Sequence, residues 1–375
     1  MQNFFLDCNK TNAQIDLDAI AHNYKYTKER TNKRIICVIK ANAYGHGACE
    51  IAKRLEKEGA DFFAVATIDE ALEIRRIGVS SDILILGYIL PKYIKAAIEN
   101  GISLAASSSK FIEDVAREAD GKKAKLHIKL NTGMNRTGFY LCDGCIPSDL
   151  EKAVSVIKEN PNLYIEGLFS HFAKAEDDTV FTKKQYENYM KGKDYLVSNG
   201  INPEICHICN SAGTESYPEM HLDAVRLGIL LYGAGTKDKN YIPAMSFNTS
   251  IVDIHEIKAG DGVSYGLDFV AGKPMKIAVI GAGYADGVKR SLSGNDTYFL
   301  CNGKRAKLIG RVCMDMSMID VSDIPEAKVG DKVTMWGKNG DGFISCDEQA
   351  EKAGTICYEL FCGVSERVPR IYTAE

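Results

Sequence analysis

One amine stands out by what surrounds it. In the stretch CVIKANAYGHG, Cys37 to Gly47, an apolar run from Ile35 to Ile39 delivers a single lysine, Lys40. A turn-rich segment with Tyr44, His46 and two glycines follows. An apolar run that ends in one lysine and a Gly-containing turn is the pattern of a buried strand opening into a functional loop. A lysine there is only partly solvated, which lowers its pKa and suits it to Schiff-base or general-base chemistry. The competing reading is a strand-end lysine that points to water. Further polar residues stand at the ends of later apolar runs: Lys129, Asn131 and Arg136, then His171, Asn210, Ser211 and Arg226.

The elements that must position these residues alternate with regularity. Asp18 reads as the N-cap of a first helix running to about Arg30, after a short strand near Gln14–Leu17. Apolar strand patterns then recur at 35–39, 62–66, 83–86, 102–105, 126–130, 165–169, 205–209 and 224–227. Helical patterns fill most intervals: 48–58, 69–77, 93–99, 108–118, 150–158 and 181–198. The seventh interval, 211–217, has room for a turn or two. Short apolar strands separated by helices imply parallel pairing. Eight such units predict an α/β fold with an N-terminal (β/α)8 TIM-type barrel over residues 1–240. An open Rossmann-type sheet is the alternative. Its glycine fingerprint is missing after the first strand, and the later GAGYADG (281–287) has the wrong spacing and context. Beyond about Tyr241, strand patterns at 247–257, 276–281, 307–313, 317–321 and 332–336 are separated by Gly, Asp and Asn turns, and only 346–353 reads as helix. This predicts a smaller, mostly β C-terminal domain over 241–375.

In such a barrel the active site lies at the C-terminal ends of the strands. The residues named above then share one rim. Each alone has a structural explanation, a histidine or arginine at a strand end most of all. Together, an amine, further cations or potential cations, and hydroxyl and backbone donors suit an anionic ligand with a carbonyl-type carbon. Ser211 opens a short helical stretch, and Gly228 and Ile229 follow the eighth strand, places where backbone N–H groups bind phosphate. An imine-forming lysine beside a phosphate site points to pyridoxal 5'-phosphate.

Composition narrows the class. The 375 residues are 45% hydrophobic and 26% charged, with 46 Lys plus Arg against 50 Asp plus Glu, a net charge of −4. No electrostatic pull toward nucleic acid or an anionic membrane follows. No apolar run nears the roughly 20 residues that span a bilayer, and no signal peptide is visible, so a cytoplasmic protein is expected. Twelve cysteines include the pairs Cys142/Cys145 and Cys206/Cys209. The two pairs lie much farther apart than the roughly 15–20 residues usual for a zinc site. No metal is expected; reduced thiols packed as small hydrophobes are the better reading.

The chain resembles the fold-type III alanine racemases along nearly its whole length. The resemblance rests on VIKANAYGHG (38–47), KLNTGMNRTGF (129–139), SHFA (170–173), NSAGT (210–214), AVRLGILLYG (224–233), VSYG (263–266), GYADG (283–287), GRVCMDM (310–316), and YEL with RVPR (358–370). It implies that Lys40 holds the cofactor and then takes the α-proton from one face of the substrate. Tyr265, from the partner subunit of a homodimer with shared active sites, is the opposite base. Racemisation removes a proton from one face and returns it to the other, which explains two bases. Nearby cations are expected to lower the tyrosine's pKa. Arg226 faces the pyridine nitrogen and, being protonated, leaves that nitrogen unprotonated, which disfavours transamination. Tyr44, Ser211, Gly228, Ile229 and Tyr358 bind the phosphate. His171 supports Arg226, and Asn210 joins the cofactor-binding set. Arg136 contacts the cofactor's phenolic oxygen and the substrate carboxylate. Met314 binds that carboxylate through its N–H, with Cys313 and Asp315 beside it. Lys129, carbamylated in many relatives, orients Arg136. Many relatives have aspartate where this chain has Asn131.

The implied activity is interconversion of L- and D-alanine, supplying D-alanine for peptidoglycan. A racemase acting on serine or lysine is the alternative. Serine racemases of this fold carry a membrane half and replace the tyrosine matching Tyr358, so alanine is favoured. Decarboxylases of similar architecture lack the pairing of Tyr265 with Cys313-Met314-Asp315. Single-barrel proteins that bind the cofactor without catalysis lack the β domain. No role is assigned to His46.

Overall fold

The computed structural model describes residues 11–142 and 145–374. They form two compact units, one built from 24–43 and 48–231, the other from 11–23, 44–47 and 232–374.

In the first unit, eight strands run parallel. They are β2 (Arg34–Val38), β3 (Phe62–Val65), β4 (Asp82–Ile85), β5 (Ser103–Ala106), β6 (Ala124–Asn131), β8 (Leu163–Phe169), β9 (Ile205–His207) and β10 (Ala224–Leu227). The short β7 (Phe139–Tyr140) pairs with β6. Hydrogen-bonded neighbours follow the order β10-β2-β3-β4-β5-β6-β8-β9. The seam between β9 and β10 is bridged by Arg226 N–H to Cys209 O (3.0 Å) and Asp223 N–H to Cys206 O (3.1 Å). The sheet is thus a nearly closed (β/α)8 barrel, as the alternation predicts. Its helices form where apolar residues recur at helical spacing and where capping residues precede them. Thr67 and Glu70 make a capping box, and Ser108 and Asp178 cap the helices 109–119 and 179–198. The first helix is capped by Asp16, whose carboxylate accepts from Ala19 N–H at 2.8 Å, and not by Asp18. The strand expected at 205–209 ends at His207, so Cys209 lies beyond it.

The second unit is organised by β11 (Met245–Ile257). It pairs in turn with β1 (Asn12–Asp16), with β18 (Lys332–Asn339) and with β14 (Met275–Ile280), its register slipping at 247/248 and 251/253. β14 continues to β17 (Ser317–Asp320), β16 (Lys304–Ile309), β15 (Tyr298–Cys301) and back to β18. Six antiparallel strands therefore close a circuit. Slips of this kind bend a strand and let it serve several partners. β19 (Gly342–Ile344) extends β18, and β20 (Arg370–Thr373) pairs in parallel with β1. A hairpin of β12 (Gly262–Val263) and β13 (Phe269–Val270) stands apart. The strand expected at 307–313 ends at Ile309, because Gly310 at φ +65° turns the chain. A second helix, Cys357–Gly363, joins the expected 346–353. Its seven residues are too short a sample for helical periodicity to show.

Candidate active site

Lys40 follows β2 after one residue, Ile39. After it, Ala41, Asn42 and Ala43 take φ 52° with ψ near 50°, and Tyr44 also has φ 52°. Left-handed backbone costs residues with side chains roughly 1–2 kcal/mol each. It persists only where its surroundings over-determine it. Glu70 accepts the Ala41 N–H (2.7 Å), Ala43 N–H donates to Ile39 O (2.8 Å), and Asn42 Oδ1 accepts the Ala48 N–H (2.8 Å). The same Glu70 carboxylate accepts the Ala66 N–H at 2.7 Å. One carboxylate thus ties the turn after Lys40 to the next strand end.

On β6, alternate residues Lys125, His127, Lys129 and Asn131 share the inward face. Lys129 is buried; burial, with the charges of Arg136, Arg226 and Lys40, lowers its amine to about 8. The same four cations, after burial, push the His171 imidazole well below its usual range. Lys129, Arg136, Ser170 and His171 line one small cavity. Asn131 shapes the loop that carries Arg136, its Oδ1 accepting the N–H groups of Gly133 (3.3 Å) and Asn135 (2.9 Å).

Arg226 on β10 is buried and held at four points. It donates to His207 Nδ1 (2.7 Å), Ser170 O (2.7 Å), Ile208 O (2.8 Å) and His171 Nδ1 (3.1 Å). Burial lowers its guanidinium to about 10, still protonated at neutral pH. Beyond the neighbouring strand ends, Asn210 caps the short helix Ser211–Ser216, its Oδ1 accepting from Gly213 N–H at 3.0 Å. Ser211 Oγ accepts from the N–H groups of Gly228 (3.1 Å) and Leu230 (3.4 Å), with Ile229 between them. The barrel rim therefore offers an amine, a cluster of cations and converging N–H and hydroxyl groups. That donor set suits a ligand bearing a phosphate and a carboxylate, and an amine suits its carbonyl carbon.

The second unit carries its own group of the expected residues. Tyr265 is 70% exposed on a turn whose neighbours are left-handed: Ser264 (φ 67°), Gly266 (φ 76°) and Leu267 (φ 52°). Ser264 Oγ donates to Arg311 O at 2.7 Å, which holds the turn. Tyr265, Cys313, Met314 and Asp315 line one surface concavity floored by Ile277 and Met318. Tyr284 and Ala285 donate N–H bonds of 3.0 Å to the carbonyls of Cys313 and Met314. A Cβ on Gly283 would collide with both oxygens. Arg367 bonds Asp286 at 2.8 and 2.9 Å and Asp315 at 2.8 Å, and Asp286 accepts from Gly283 N–H at 2.9 Å. The GYADG, GRVCMDM and RVPR segments, far apart in sequence, thus clamp one turn. Tyr44 belongs to this unit, 5.7 Å from Tyr358 and 5.0 Å from Tyr232 between ring centroids. Burial pushes its phenol well up, so it remains a hydroxyl donor. His46 packs within 4.4 Å of the Tyr232 ring and 4.8 Å of Phe361, a structural position.

Sequence reasoning passed over His127, Glu166 and His207, and gave Asp286 and Arg367 no role. The available signal was a charge or imidazole at every second residue of a buried strand, Lys125, His127 and Lys129. Among the described residues no cluster of His, Cys, Asp or Glu is arranged to hold a metal ion, and no helix is long and apolar enough to cross a membrane.

Comparison with known proteins gives a consistent answer. Residues 15–236 match the alanine racemase N-terminal domain, and 244–372 the alanine racemase C-terminal domain. Alanine racemase 2 of Caldanaerobacter subterraneus is 39% identical over 98% of this chain and 96% of its own. The alanine racemase of Methanococcus maripaludis is 40% identical over 96% of this chain and 98% of its own. Among solved structures, the Bacillus anthracis alanine racemase with bound L-Ala-P is 36% identical, with a TM-score of 0.89 over 98% of this chain and 96% of that one. The alanine racemase of Streptomyces lavendulae reaches a TM-score of 0.90 at 32% identity over 98% of both chains. With both domain types matched in order, and relatives aligned nearly end to end, the chain belongs to the alanine racemase family.

Proposed function

We propose that this protein interconverts L- and D-alanine with pyridoxal 5'-phosphate, using Lys40 and the partner subunit's Tyr265 as opposed bases. The observation that carries the reading is the group of cations at the barrel rim, Lys40, Lys129, Arg136 and Arg226; burial first, and then repulsion from these charges, depresses Lys129 and His171. A ligand bearing a phosphate and a carboxylate relieves that repulsion.

The chemistry supplied by bound pyridoxal phosphate is electron withdrawal from the amino acid's α-carbon. Lys40 would hold the cofactor, and its Nζ would be the base that takes the α-proton from one face. The Tyr265 hydroxyl returns a proton to the other. Arg226 presents N–H to the ring nitrogen and keeps a proton off it, which limits transamination. Ser211 Oγ, the N–H groups of Gly228 and Ile229, and the hydroxyls of Tyr44 and Tyr358 bind the phosphate, with Asn210 fixing the Ser211 turn. His171 steadies Arg226. Arg136, oriented by Lys129, and the Met314 N–H bind the substrate carboxylate; Cys313 and Asp315 flank that N–H. In this reading residues 1–240 are the cofactor domain. Residues 241–375 complete the partner's site in a homodimer, consistent with the exposure of Tyr265, Leu267, Val270, Met314 and Met316. The described cysteines are free thiols, in keeping with a reducing cytoplasm, and D-alanine supply to the cell wall is the role we assign.

The test is optical interconversion of L- and D-alanine by wild type, Lys40→Ala and Tyr265→Phe. Both variants should lose nearly all activity, and Lys40→Ala should also lose covalent retention of the cofactor after borohydride reduction. Wild-type-like turnover by Lys40→Ala refutes the mechanism. A kcat/KM for L-serine or L-lysine equal to that for L-alanine refutes the substrate.

A further inference from the structure

Behind Arg226, the barrel interior holds a chain of polar side chains with no assigned part in the reaction. Arg226 donates to His207 Nδ1 at 2.7 Å. His207 Nε2 lies 3.0 Å from His127 Nδ1, and His127 Nε2 lies 3.0 Å from Glu166 Oε2. Ser103 Oγ donates to the same Oε2, while Lys125 Nζ is 2.8 Å from Oε1 and 2.8 Å from Asp82. His127 and His207 are fully buried and Glu166 nearly so. Barrels of this kind are filled mainly by branched apolar side chains, so a polar file through the interior needs a reason.

The backbone is shaped to hold it. Pairing of β6 with β8 slips by one residue, from Leu126↔Ile165 to His127↔Gly167, leaving Glu166 as the extra residue of a bulge. Bulges re-aim side chains, and this one brings Glu166 to His127. Gly167 leaves the space that the His127 ring occupies; a Cβ there would collide with the imidazole.

The protons of the file can be ordered from chemistry alone. Burial, the largest influence on each, lowers both imidazoles and keeps them neutral. Burial also pushes Glu166 up, but bonds from His127, Lys125 and Ser103 outweigh it and hold the carboxyl at about 2. A neutral imidazole has one donor and one acceptor, and a carboxylate only accepts. His127 must therefore carry its proton on Nε2, facing Glu166, leaving Nδ1 bare. His207 must then carry its proton on Nε2, leaving a bare Nδ1 toward Arg226. Every bond runs in one direction, from the guanidinium to the carboxylate.

We infer that Glu166 and His127 are positioning residues that, through His207, present a fixed lone pair to Arg226 and so hold its guanidinium in register with the cofactor's ring nitrogen. The inference rests on the proposed reading in which Arg226 faces that nitrogen. If the file were reversed, His207 would turn an N–H toward Arg226, donor against donor, and displace it.

Glu166→Gln is the variant that reverses the file. Lys125 bonds Asp82 but also faces the Oε1 position, where an amide NH2 would set donor against ammonium, so the amide oxygen turns to Lys125 and the amide NH2 to His127. Nuclear magnetic resonance of the holoenzyme with ring-15N histidine reads the tautomers. In wild type, His127 and His207 should both carry Nε2–H. In Glu166→Gln both should switch to Nδ1–H. In Lys125→Met/Glu166→Gln the amide is free to turn, and both should return to Nε2–H. Transamination per racemisation turnover should rise several-fold in Glu166→Gln and fall back in the double variant. An Nδ1–H on either histidine of wild type overturns the inference, and that measurement stands even if Glu166→Gln fails to fold. Unchanged tautomers in Glu166→Gln, or no recovery in the double variant, also overturn it. So does a tautomer switch with no change in partition. A wild type that binds the cofactor but does not racemise alanine refutes the proposed function, while the tautomers still decide the file.

Discussion

The barrel rim and the Tyr265 concavity present their reagents in opposite ways. The rim is internally braced and partly buried: Arg226 and Lys129 are buried and Arg226 has four partners, while Lys40 and His171 are half-buried and Arg136 is exposed. The concavity exposes Tyr265 and Met314, and its bracing, the Arg367–Asp286–Asp315 clamp, is buried only at Asp286. Left-handed backbone is common to both, because Lys40 and Tyr265 each adjoin turns of that kind. The difference teaches that burial shifts the charges of Lys129 and Arg226 on the rim, whereas the concavity leaves the Tyr265 side chain open to solvent.

The largest expected effect breaks or upholds that division. Mixed Lys40→Ala and Tyr265→Phe subunits, each inactive alone, should recover about a quarter of wild-type activity after random reassociation, because half the dimers then hold one intact site. No recovery would place both bases on one chain. Next, Arg367→Ala leaves the Asp286 carboxylate buried without its cation. It should cost about 2–3 kcal/mol in denaturant unfolding and raise KM for alanine as the Met314 turn loosens. An unchanged KM would separate the clamp from substrate binding. On the barrel side, Gly167→Ala forces a methyl against His127. Overpacking of this kind costs about 1–3 kcal/mol, and the His127 15N signals should shift with it.

A smaller effect appears with pH. Burial among cations lowers the Lys129 amine from its ordinary 10.5 to about 8. Its proton is therefore lost from the folded chain before the unfolded one. The penalty is complete below pH 8 and is relieved as pH rises from about 8 to 10.5, so stability gains across that window. Lys129→Met should abolish the gain in bicarbonate-free unfolding experiments on the cofactor-free protein. Smallest is Ala41→Gly, which removes one left-handed penalty but loosens the unfolded chain. The net gain should be under about 1 kcal/mol, against a clear loss for Ala41→Val.

The barrel was legible because its strands are short apolar runs and its helices carry capping residues and periodicity. Lys40, Arg226 and Ser211 were legible because each ends such a run. The C-terminal sheet was less so. β15, β19 and β20 run for only three or four residues, and β20 is stabilised by pairing with β1, a neighbour distant in sequence. The file from Glu166 to His207 was hidden for another reason. Its partners lie on β6, β8 and β9, and Glu166 reaches them only through a bulge, which local patterning does not reveal.

The pairing of β1 with β20 also has a consequence for synthesis. Residues 12–16 are synthesised long before 370–373, the strand with which they pair. At roughly 5–20 residues per second, that wait is on the order of tens of seconds. Until then one edge of the C-terminal sheet lacks its final strand, and a nascent chain released early has an unpaired template open to other chains. Once made, the same pairing lays residues 12–16 and 370–373 side by side and covers the outer edge of β1.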